Sequence, residues 1–481
     1  MNYGLVSGLL GTMALFTGLT MGAPLLTAVF LGEAKEKAIF LTALFITLIV
    51  AYELRRKSLE GNLSVRDGIA VTGLGWIMVS LLGMMPYLLS GFFTPLSAFV
   101  ESVSGFSGTG ATVLSDVEAL PRSLLLWRSF TNWIGGLGIV VIFMAILPQM
   151  GKGALNMFRA ESGDKGRQMP RVRDHAKALF TIYITFTTLC ALSFFLAGME
   201  PFAAINYALS TMGTGGFAIH NDGLLVYDNI FLETAVIFFM ILASGSFAMY
   251  FAAWQKGPSA ILRDTEFTVF LSVLIVSSAL IVADIVMEMH LSFSDALRRA
   301  TFHVASIAST TAFVTDDFDA WPAFSKVILL LLMFMGGCAG STSGGMKVSR
   351  VILLVKMIHY TVMQKLHPQI LGGVRMNGKI IPDEALFAAA RFFFAYLLVD
   401  IAFAMVMIID GVDMEEAVSV AVSTLGSVGP GFGLAGAMST YELLPPLSKL
   451  GACAVMFLGR LEIFTVVALF TPEFWNRRRG W

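Results

Sequence analysis

Long apolar segments separated by short polar ones run along the whole chain. Apolar runs of about 18 residues or more are long enough to cross a bilayer as helices, and they recur from one end of the sequence to the other. The pattern predicts ten spanning helices. They cover residues 3–31, 37–54, 67–92, 121–149, 176–198, 226–254, 267–289, 323–361, 385–410 and 444–471.

Small polar knots recur between the later spans, each at the end of a shorter apolar segment. The knots are SGTGA (107–111), MGTGG (212–216), STTAF (309–313) and GSVGP (426–430). Glycine costs about 1 kcal/mol in a helix interior, so such a knot at membrane depth indicates backbone that faces a cavity. One knot alone would favour a turn or a helix-packing role. Four knots, with fourth residues spaced by 105, 97 and 117 positions, predict a repeated pore element.

The repeated pattern predicts the fold class. We expect an all-α polytopic membrane protein with four pseudo-symmetric repeats of helix, re-entrant pore loop and helix, preceded by an N-terminal helix pair. Internal repeats are common in membrane transport folds. The expected limits are 1–60 for the helix pair and 61–155, 170–256, 262–366 and 380–476 for the repeats.

Composition and charge support a membrane protein. Of the 481 residues, 56% are hydrophobic and 14% charged, against about 25% charged in soluble domains. The net charge of -1 argues against a nucleic-acid-binding surface. The N-terminus lacks the charged and small-residue signals of a cleaved leader, so we expect none to be removed.

The distribution of charge predicts an orientation. Most Lys and Arg residues lie in 54–67, 151–177, 256–263, 347–379 and 477–479, which fall on one side if the spans are drawn as above. The positive-inside rule then predicts that both termini are cytoplasmic and that the knots enter from outside. Acidic residues, Glu101 and Asp116 among them, collect on the outer side. They would concentrate cations there, although ordinary solvated loops would give part of the same pattern.

The knots carry the chemistry of a cation pore. A desolvated monovalent cation needs oxygen ligands, which backbone carbonyls supply without fixed charge, and glycine permits the required dihedrals. The negative C-terminal ends of the short helices would also favour a cation. The three cysteines lie apart in apolar stretches as small buried residues, and no histidine or cysteine cluster is spaced for zinc. An enzyme or receptor would need converging catalytic groups, and only Asp400 and Glu462 lie at membrane depth, so we predict no enzyme.

Two further features lie in the last two repeats: a glycine-rich break in one span and an arginine within another. The segment GGCAGSTSGG (336–345) breaks a predicted span, which is tolerated where the backbone faces a cavity; a packing kink is the alternative. It is not a phosphate-binding loop, because Met346 and Val348 flank Lys347. Arg460 lies within the last span, where a charge is costly and usually functional; the alternative is a structural pair with Glu462 or another buried acid.

Several segments together resemble a known family. The chain is similar over nearly its whole length to the TrkH subunits of bacterial Trk potassium uptake systems, within the TrkH/TrkG/KtrB/HKT superfamily. The extra N-terminal helix pair favours the TrkH branch over the shorter KtrB type. The resemblance is carried by ESVSGFSGTGATVL (101–114), RSFTNWIGGLGIVV (128–141), GGCAGSTSGGMKVSR (336–350), NGKIIPDE (377–384) and GRLEIFTVVALFTPEFW (459–475).

The resemblance implies a potassium selectivity filter at the knots. The family positions fall on Gly108, Thr109, Gly110, Gly213, Thr214, Gly215, Thr310, Thr311, Ala312, Ser427, Val428 and Gly429. Relatives usually carry glycine where this chain has Ala312, and alanine at positive φ costs about 1 kcal/mol or more. Gly110, which is serine in sodium-selective plant relatives, is intact. These residues favour potassium and leave a sodium-permeable or sodium-coupled transporter as the alternative.

The resemblance also implies a gate and partners. An intramembrane loop and Arg460 would restrict flow below the filter; the loop residues are Gly340, Ser341, Thr342, Ser343, Gly344 and Gly345. We expect a homodimer in the lipid of a bacterial inner membrane, with potassium as the transported ion and no covalent cofactor. A cytosolic TrkA-like nucleotide-binding ring is expected on 151–177 and 362–384. Whether flux is channel-like or coupled to protons or sodium stays open.

Overall fold

The computed structural model describes residues 1–56, 64–146, 170–368 and 373–475, and these are mostly helical. An N-terminal bundle comes first, with α1 (Tyr3–Thr20), α2 (Gly22–Leu31) and α3 (Ala34–Arg55). The Asn2 side chain caps α1 by accepting a hydrogen bond from the Leu5 amide, and Gly32, at φ +73°, ends α2. Helix α3 packs along α1, so this pair forms a unit beside the first repeat.

Four units of similar design follow. Each has a long helix, a short helix that ends in a knot, and a second helix. The first unit contains α4 (Val65–Gly83), α5 (Met85–Ser90), α6 (Pro95–Ser107) and α7 (Arg122–Ile146), and the second α8 (Pro170–Leu196), α9 (Pro201–Met212), α10 (Ile230–Ser244) and α11 (Phe247–Lys256). The third contains α12 (Ser259–Leu262), α13 (Thr265–Met289), α14 (Phe293–Ala308), α15 (Ala323–Met335) and α16 (Val348–Leu366). A hairpin of β1 (Arg375–Met376) and β2 (Lys379–Ile380) leads to α17 (Asp383–Ile409), α18 (Met414–Leu425), α19 (Pro446–Leu461), α20 (Ile463–Leu469) and α21 (Pro472–Trp475).

The order of elements confirms the predicted all-α fold class. The limits assigned to the repeats stay a prediction, since those near 60 and 155 fall outside the described residues. The short helices begin where their sequences favour a start. Thr94 and Ser292 cap α6 and α14 through their side chains, and Pro201 opens α9 in the first turn, where proline is tolerated.

Within the described residues, fewer continuous spans than the predicted ten are found, and the predicted span 121–149 lies partly outside those residues. Among the described residues, six helices are long and apolar enough to cross a membrane. They are Tyr3–Leu31, Ala34–Arg55, Val65–Ser90, Ala176–Leu196, Thr265–Met289 and Asp383–Ile409. Two bent pairs bring the number to eight: α10 with α11 bends by 92°, and α19 with α20 by 116°.

The outgoing helices of the second, third and fourth units are therefore all broken, whereas the sequence indicated a break only in the third. Extended backbone at Gly245 separates α10 from α11, and Glu462, at φ +62°, separates α19 from α20. The third helix breaks from Gly336 to Lys347, as the glycine-rich segment predicted. Large exposed apolar side chains such as Phe30, Ile275 and Phe394 remain on the long helices, as a lipid-facing surface requires.

Candidate functional site

The four knots meet in one ring. A Cβ atom built on Gly110 would lie 1.6 Å from the carbonyl oxygen of Gly215, and one on Gly216 would lie 2.0 Å from that of Thr311. One on Gly429 would lie 2.6 Å from the carbonyl oxygen of Thr109. The first knot therefore adjoins the second and the fourth, and the second adjoins the third. Glycine is required at these three positions because the neighbouring backbone approaches so closely.

All four knots share one hydrogen-bond pattern. In each, one backbone N–H donates to the carbonyl of a serine five residues earlier. The pairs are Thr109 to Ser104, Gly215 to Ser210, Thr311 to Ser306 and Val428 to Ser423, at 2.8 to 3.0 Å. The residues on either side of each donor have positive φ: Gly108 and Gly110, Thr214 and Gly216, Thr310 and Ala312, Ser427 and Gly429. Alternation in the sign of φ turns successive carbonyls to one side of the chain, which lets a backbone line a cavity with oxygen.

This pattern corrects the alignment of the second knot. The sequence alignment matched Gly213, Thr214 and Gly215 with the other triplets, but the structure matches Thr214, Gly215 and Gly216. Gly213 has φ -74° and still belongs to the right-handed turn that ends α9. We therefore define the knot triplets as 108–110, 214–216, 310–312 and 427–429.

The wrong register has a simple cause and had a usable signal. Two consecutive glycines fit a Gly-Thr-Gly pattern as well as the true frame, so glycine spacing alone is ambiguous. The hydroxyls of Ser210 and Ser306 each donate to the carbonyl of a phenylalanine seven residues later, Phe217 and Phe313, at 2.8 and 2.7 Å. Aligning these serine and phenylalanine pairs gives the correct frame.

One face of the ring opens into a cavity of about 220 Å³. The last residue of every triplet lines it: Gly110, Gly216, Ala312 and Gly429. Loops from all four units form its walls, and the rim contains His220, Asn221 and Asp222. Beside the rim, the Asn221 amide donates to Asp116 at 3.0 Å, and this hydrogen bond lowers the pKa of the Asp116 carboxyl.

A buried ion pair braces the wall of this cavity. Arg128 Nε donates to Glu101 Oε1 at 2.7 Å, and both side chains are almost completely buried. The same guanidinium donates to the carbonyl of Ala218 at 2.9 Å and to the hydroxyl of Thr112 at 3.2 Å, so it joins the loops that follow the first two knots. Glu101 is 0% exposed, which corrects its assignment to an acidic outer mouth. A lone glutamate among small apolar residues of a short helix was the available signal for a buried role.

The glycine-rich break lies at the other end of the triplets. The amide of Gly344 donates to the hydroxyl of Thr310, the first residue of the third triplet, at 2.8 Å. A Cβ on Gly344 would lie 2.2 Å from the carbonyl oxygen of Gly426, next to the fourth triplet. Since the cavity touches the last residues of the triplets and this segment touches the first, the two lie on opposite sides of the ring.

The break of the third helix interlocks with the break of the second. Cys338 donates its amide to the Ser244 carbonyl at 3.0 Å, and Phe247 donates its amide to the Gly340 carbonyl at 3.1 Å. The buried carboxylate of Glu266 accepts from the amides of Ala339 and Ser349, at 2.7 and 2.9 Å. The sequence reasoning missed Glu266, whose only signal was an acidic residue in the first turn of a long apolar helix.

Arg460 binds the loop rather than an acid. Its guanidinium donates to the carbonyls of Thr342, at 3.1 Å, and Gly135, and lies over the ring of Trp76. The alternative of a pair with Glu462 is wrong, because Glu462 pairs with Arg350 of α16. The predicted gating residues Gly340 to Gly345 all lie in this loop, and their neighbour Lys347 donates to the Ser343 carbonyl. Two cationic side chains thus donate hydrogen bonds to two consecutive carbonyls of the loop.

Asp400 has a different environment. It is buried in α17, and neither of its carboxylate oxygens has a hydrogen-bond partner among the described residues. The Tyr396 hydroxyl one turn earlier is also unpartnered within the same ranges. The structure therefore assigns Asp400 no place in the ring or the loop.

Comparisons with a family model, with related sequences and with a solved structure all identify the same family. Residues 35–477 match the TrkH family, described as a cation transport protein. The chain is 35% identical to the Trk system potassium uptake protein TrkH of Halomonas elongata, with 99% of this chain and 100% of that protein covered. It is 32% identical to the Trk system potassium uptake protein TrkG of Escherichia coli K12, with 98% of each covered. The crystal structure of the potassium transporter TrkH from Vibrio parahaemolyticus superposes with a TM-score of 0.89 at 32% identity, covering 99% of this chain and all of that one.

Proposed function

The chain belongs to the TrkH family of cation transport proteins, and we propose that it takes up potassium through the ring of four knot triplets, which act as one selectivity filter. It is a multi-pass membrane protein and a transporter, not an enzyme. The observation that carries the proposal is the backbone geometry common to all four triplets. A sequence of alternating φ signs, repeated four times around one ring, presents carbonyl oxygens to a single path.

Potassium fits the chemistry of this ring as the transported ion. Carbonyl oxygens replace the hydration shell of a monovalent cation without holding it by a fixed charge, so the ion can also leave. The C-terminal ends of the four short helices lead directly into the triplets and add a negative potential. The uptake proteins named above match this chain over its length, which supports potassium as the cargo.

We further propose that the loop Gly340–Gly345 and Arg460 gate the path below the filter. The contact between Gly344 and Thr310 holds the loop directly against the third triplet. The guanidinium of Arg460 holds the Thr342 carbonyl and adds a positive charge on the path, which repels a cation that leaves the filter. Flow then requires the loop and this charge to withdraw together.

The regulatory partner is proposed to act through α16. This helix starts at the loop, and its middle contacts the β1–β2 hairpin through Lys356 Nζ, which donates to the Arg375 carbonyl at 2.7 Å. A TrkA-like cytosolic ring bound to the segment 362–384 would therefore pull on a helix that is continuous with the gate. Residues 369–372 of this segment, and most of the other proposed docking segment, 151–177, lie outside the described residues. We also propose a homodimer in the bacterial inner membrane with both termini in the cytoplasm.

Growth rescue tests the proposed function. The full chain is expressed in a bacterium that lacks potassium uptake, and growth is followed at low external potassium. Wild type is expected to rescue growth, and Gly110→Ala to abolish rescue, because the added Cβ meets the second knot's carbonyl. Gly22→Ala is the matched control, since a Cβ at Gly22 has no neighbour within 4 Å. Failure of wild type to rescue growth, with the protein present in the membrane, would refute potassium uptake.

Sodium permeation is the second candidate function, and Ala312 favours it. This residue has φ +57° in the position that is glycine in the other three triplets, so the ring lacks fourfold symmetry in its side chains at that position. Flux into liposomes under separate potassium and sodium gradients distinguishes the two functions. Free passage of sodium in wild type, abolished by Ala312→Gly, would make the protein a general monovalent-cation transporter.

A further inference from the structure

The fourth triplet departs from the other three at its last residue. In the first three triplets, φ at the last position is +75° for Gly110, +69° for Gly216 and +57° for Ala312. In the fourth, Gly429 has φ +112°. This value lies in the region that only glycine enters readily, so the fourth triplet follows a different backbone path.

Ala312 explains why the departure falls in the fourth triplet. In three of the four contacts around the ring, a Cβ on the last residue of one triplet would overlap the middle carbonyl of the next one. The fourth neighbouring pair is Ala312 and the fourth triplet, and there the Cβ is real. The same arrangement would bring the Val428 carbonyl against this Cβ, so the peptide between Val428 and Gly429 has to turn away, in line with the larger φ of Gly429.

Tyr441 holds the last carbonyl of the fourth triplet. Its hydroxyl donates to the carbonyl of Gly429 at 2.6 Å and lies 3.1 Å from the hydroxyl of Thr424. Its backbone amide donates to the carbonyl of Thr112 at 2.8 Å, behind the first triplet. The side chain is 2% exposed, so the phenol competes with little water for this carbonyl.

We propose that Tyr441 is a specificity-determining residue, which fixes the Gly429 carbonyl and compensates for Ala312 in the ring. The inference rests on the proposed filter function. A carbonyl held by a phenol has one lone pair engaged and cannot move inward toward a smaller ion. The number and field of the oxygens around an ion govern the choice between potassium and sodium. Without the phenol, the carbonyl is free to follow sodium.

The test is potassium and sodium flux through the reconstituted full chain in liposomes. Tyr441→Phe removes only the hydroxyl and is expected to lower the ratio of potassium to sodium flux about fivefold, through faster sodium entry. Tyr207→Phe is the matched control. That tyrosine is also almost completely buried, but its hydroxyl donates to the Gly223 carbonyl, outside the triplets, so the ratio is expected to stay at the wild-type value.

The same substitution made in an Ala312→Gly variant tests whether Tyr441 compensates for Ala312. In Ala312→Gly the fourth triplet is free to return toward its symmetric position, so adding Tyr441→Phe is expected to change the ratio less than about twofold. An equal effect of Tyr441→Phe in both backgrounds would refute the compensation.

The remaining outcomes distinguish failure of the role of Tyr441 from failure of the proposed function. A wild-type ratio in Tyr441→Phe, with normal potassium flux, would refute the role of Tyr441 and leave the proposed function intact. Absence of potassium flux in wild type would refute the proposed function and this inference with it. If Tyr441→Phe does not fold, Thr424→Val removes the neighbouring hydroxyl instead and is expected to lower the ratio in the same direction; an unchanged ratio there counts against the role of Tyr441.

Discussion

Removing the charge of Glu101 tests whether the buried ion pair braces the cavity wall. Arg128 donates to this carboxylate, to one backbone carbonyl and to one hydroxyl, and its side chain is 2% exposed. Glu101→Gln keeps the shape and leaves a buried guanidinium without a counter-charge. Breaking a buried pair in this way costs about 3–5 kcal/mol, since the remaining charge has lost its compensation.

An exposed pair in the same chain provides the matched control. Arg122 and Glu200 lie 3.0 Å apart with side chains 49% and 56% exposed. Glu200→Gln is expected to cost about 1 kcal/mol or less, because water screens both charges. The assay is the free energy of unfolding in mixed micelles, followed by tryptophan fluorescence over a denaturant series. An equal loss in the two variants would refute the reasoning from burial.

A double variant and a flux measurement extend this test. Glu101→Gln combined with Arg128→Met removes both charges, so it is expected to recover part of the lost stability. Arg128 lines the cavity, and leaving it unpaired adds a positive charge beside the entrance to the triplets. Potassium uptake at low external potassium should therefore fall in Glu101→Gln and return toward wild type in the double variant.

Three further predictions concern the loop side of the ring. Arg460→Gln is expected to raise the potassium leak of liposomes about tenfold or more by removing the charge below the proposed filter. Arg391→Gln, at an exposed residue whose side chain donates to the Phe387 carbonyl of its own helix, should leave the leak unchanged. Gly344→Ala adds a Cβ that overlaps backbone of the fourth unit, so it is expected to displace the loop and raise flux, with Gly22→Ala as the control; an unchanged flux in both would contradict the contact. Glu266→Met leaves one amide of the loop, that of Ala339, and one of the first turn of α16, that of Ser349, without an acceptor, which should cost about 1–3 kcal/mol for each and lower the melting temperature in detergent.

The sequence predicted the fold well because its strongest signals are local. Apolar length and glycine-rich knots identify spans and re-entrant segments without reference to distant residues. The break at Glu462 had no such signal, since a glutamate at positive φ is held there by tertiary contacts, including its pair with Arg350. The extended backbone at Gly245 was equally hard to predict, because a single glycine in an apolar run is compatible with an intact helix.

The site was predictable in composition and less so in register. Nine of the twelve triplet positions were aligned correctly from the sequence, but the double glycine at 215 and 216 shifted all three positions of the second triplet by one residue. The asymmetry of the fourth triplet was beyond sequence reasoning. The alanine at position 312 was visible in the sequence as a departure from glycine. Its proposed consequence is the changed backbone at Gly429, more than a hundred residues later, where Tyr441 holds the carbonyl.

The cost of opening the gate can be bounded from the hydrogen bonds that hold the loop. Gly344 and Cys338 each donate an amide to a neighbouring segment, and the Thr342 hydroxyl donates to a third. Each neutral bond is worth about 1 kcal/mol net, and the bond from Arg460 about 2 kcal/mol because its donor is charged. The total of about 5 kcal/mol is close to the roughly 5.5 kcal/mol that shifts a two-state equilibrium from 1:99 to 99:1. A partner that binds the open state about 10⁴-fold more tightly therefore suffices to open the path, and weaker coupling would leave it mostly closed.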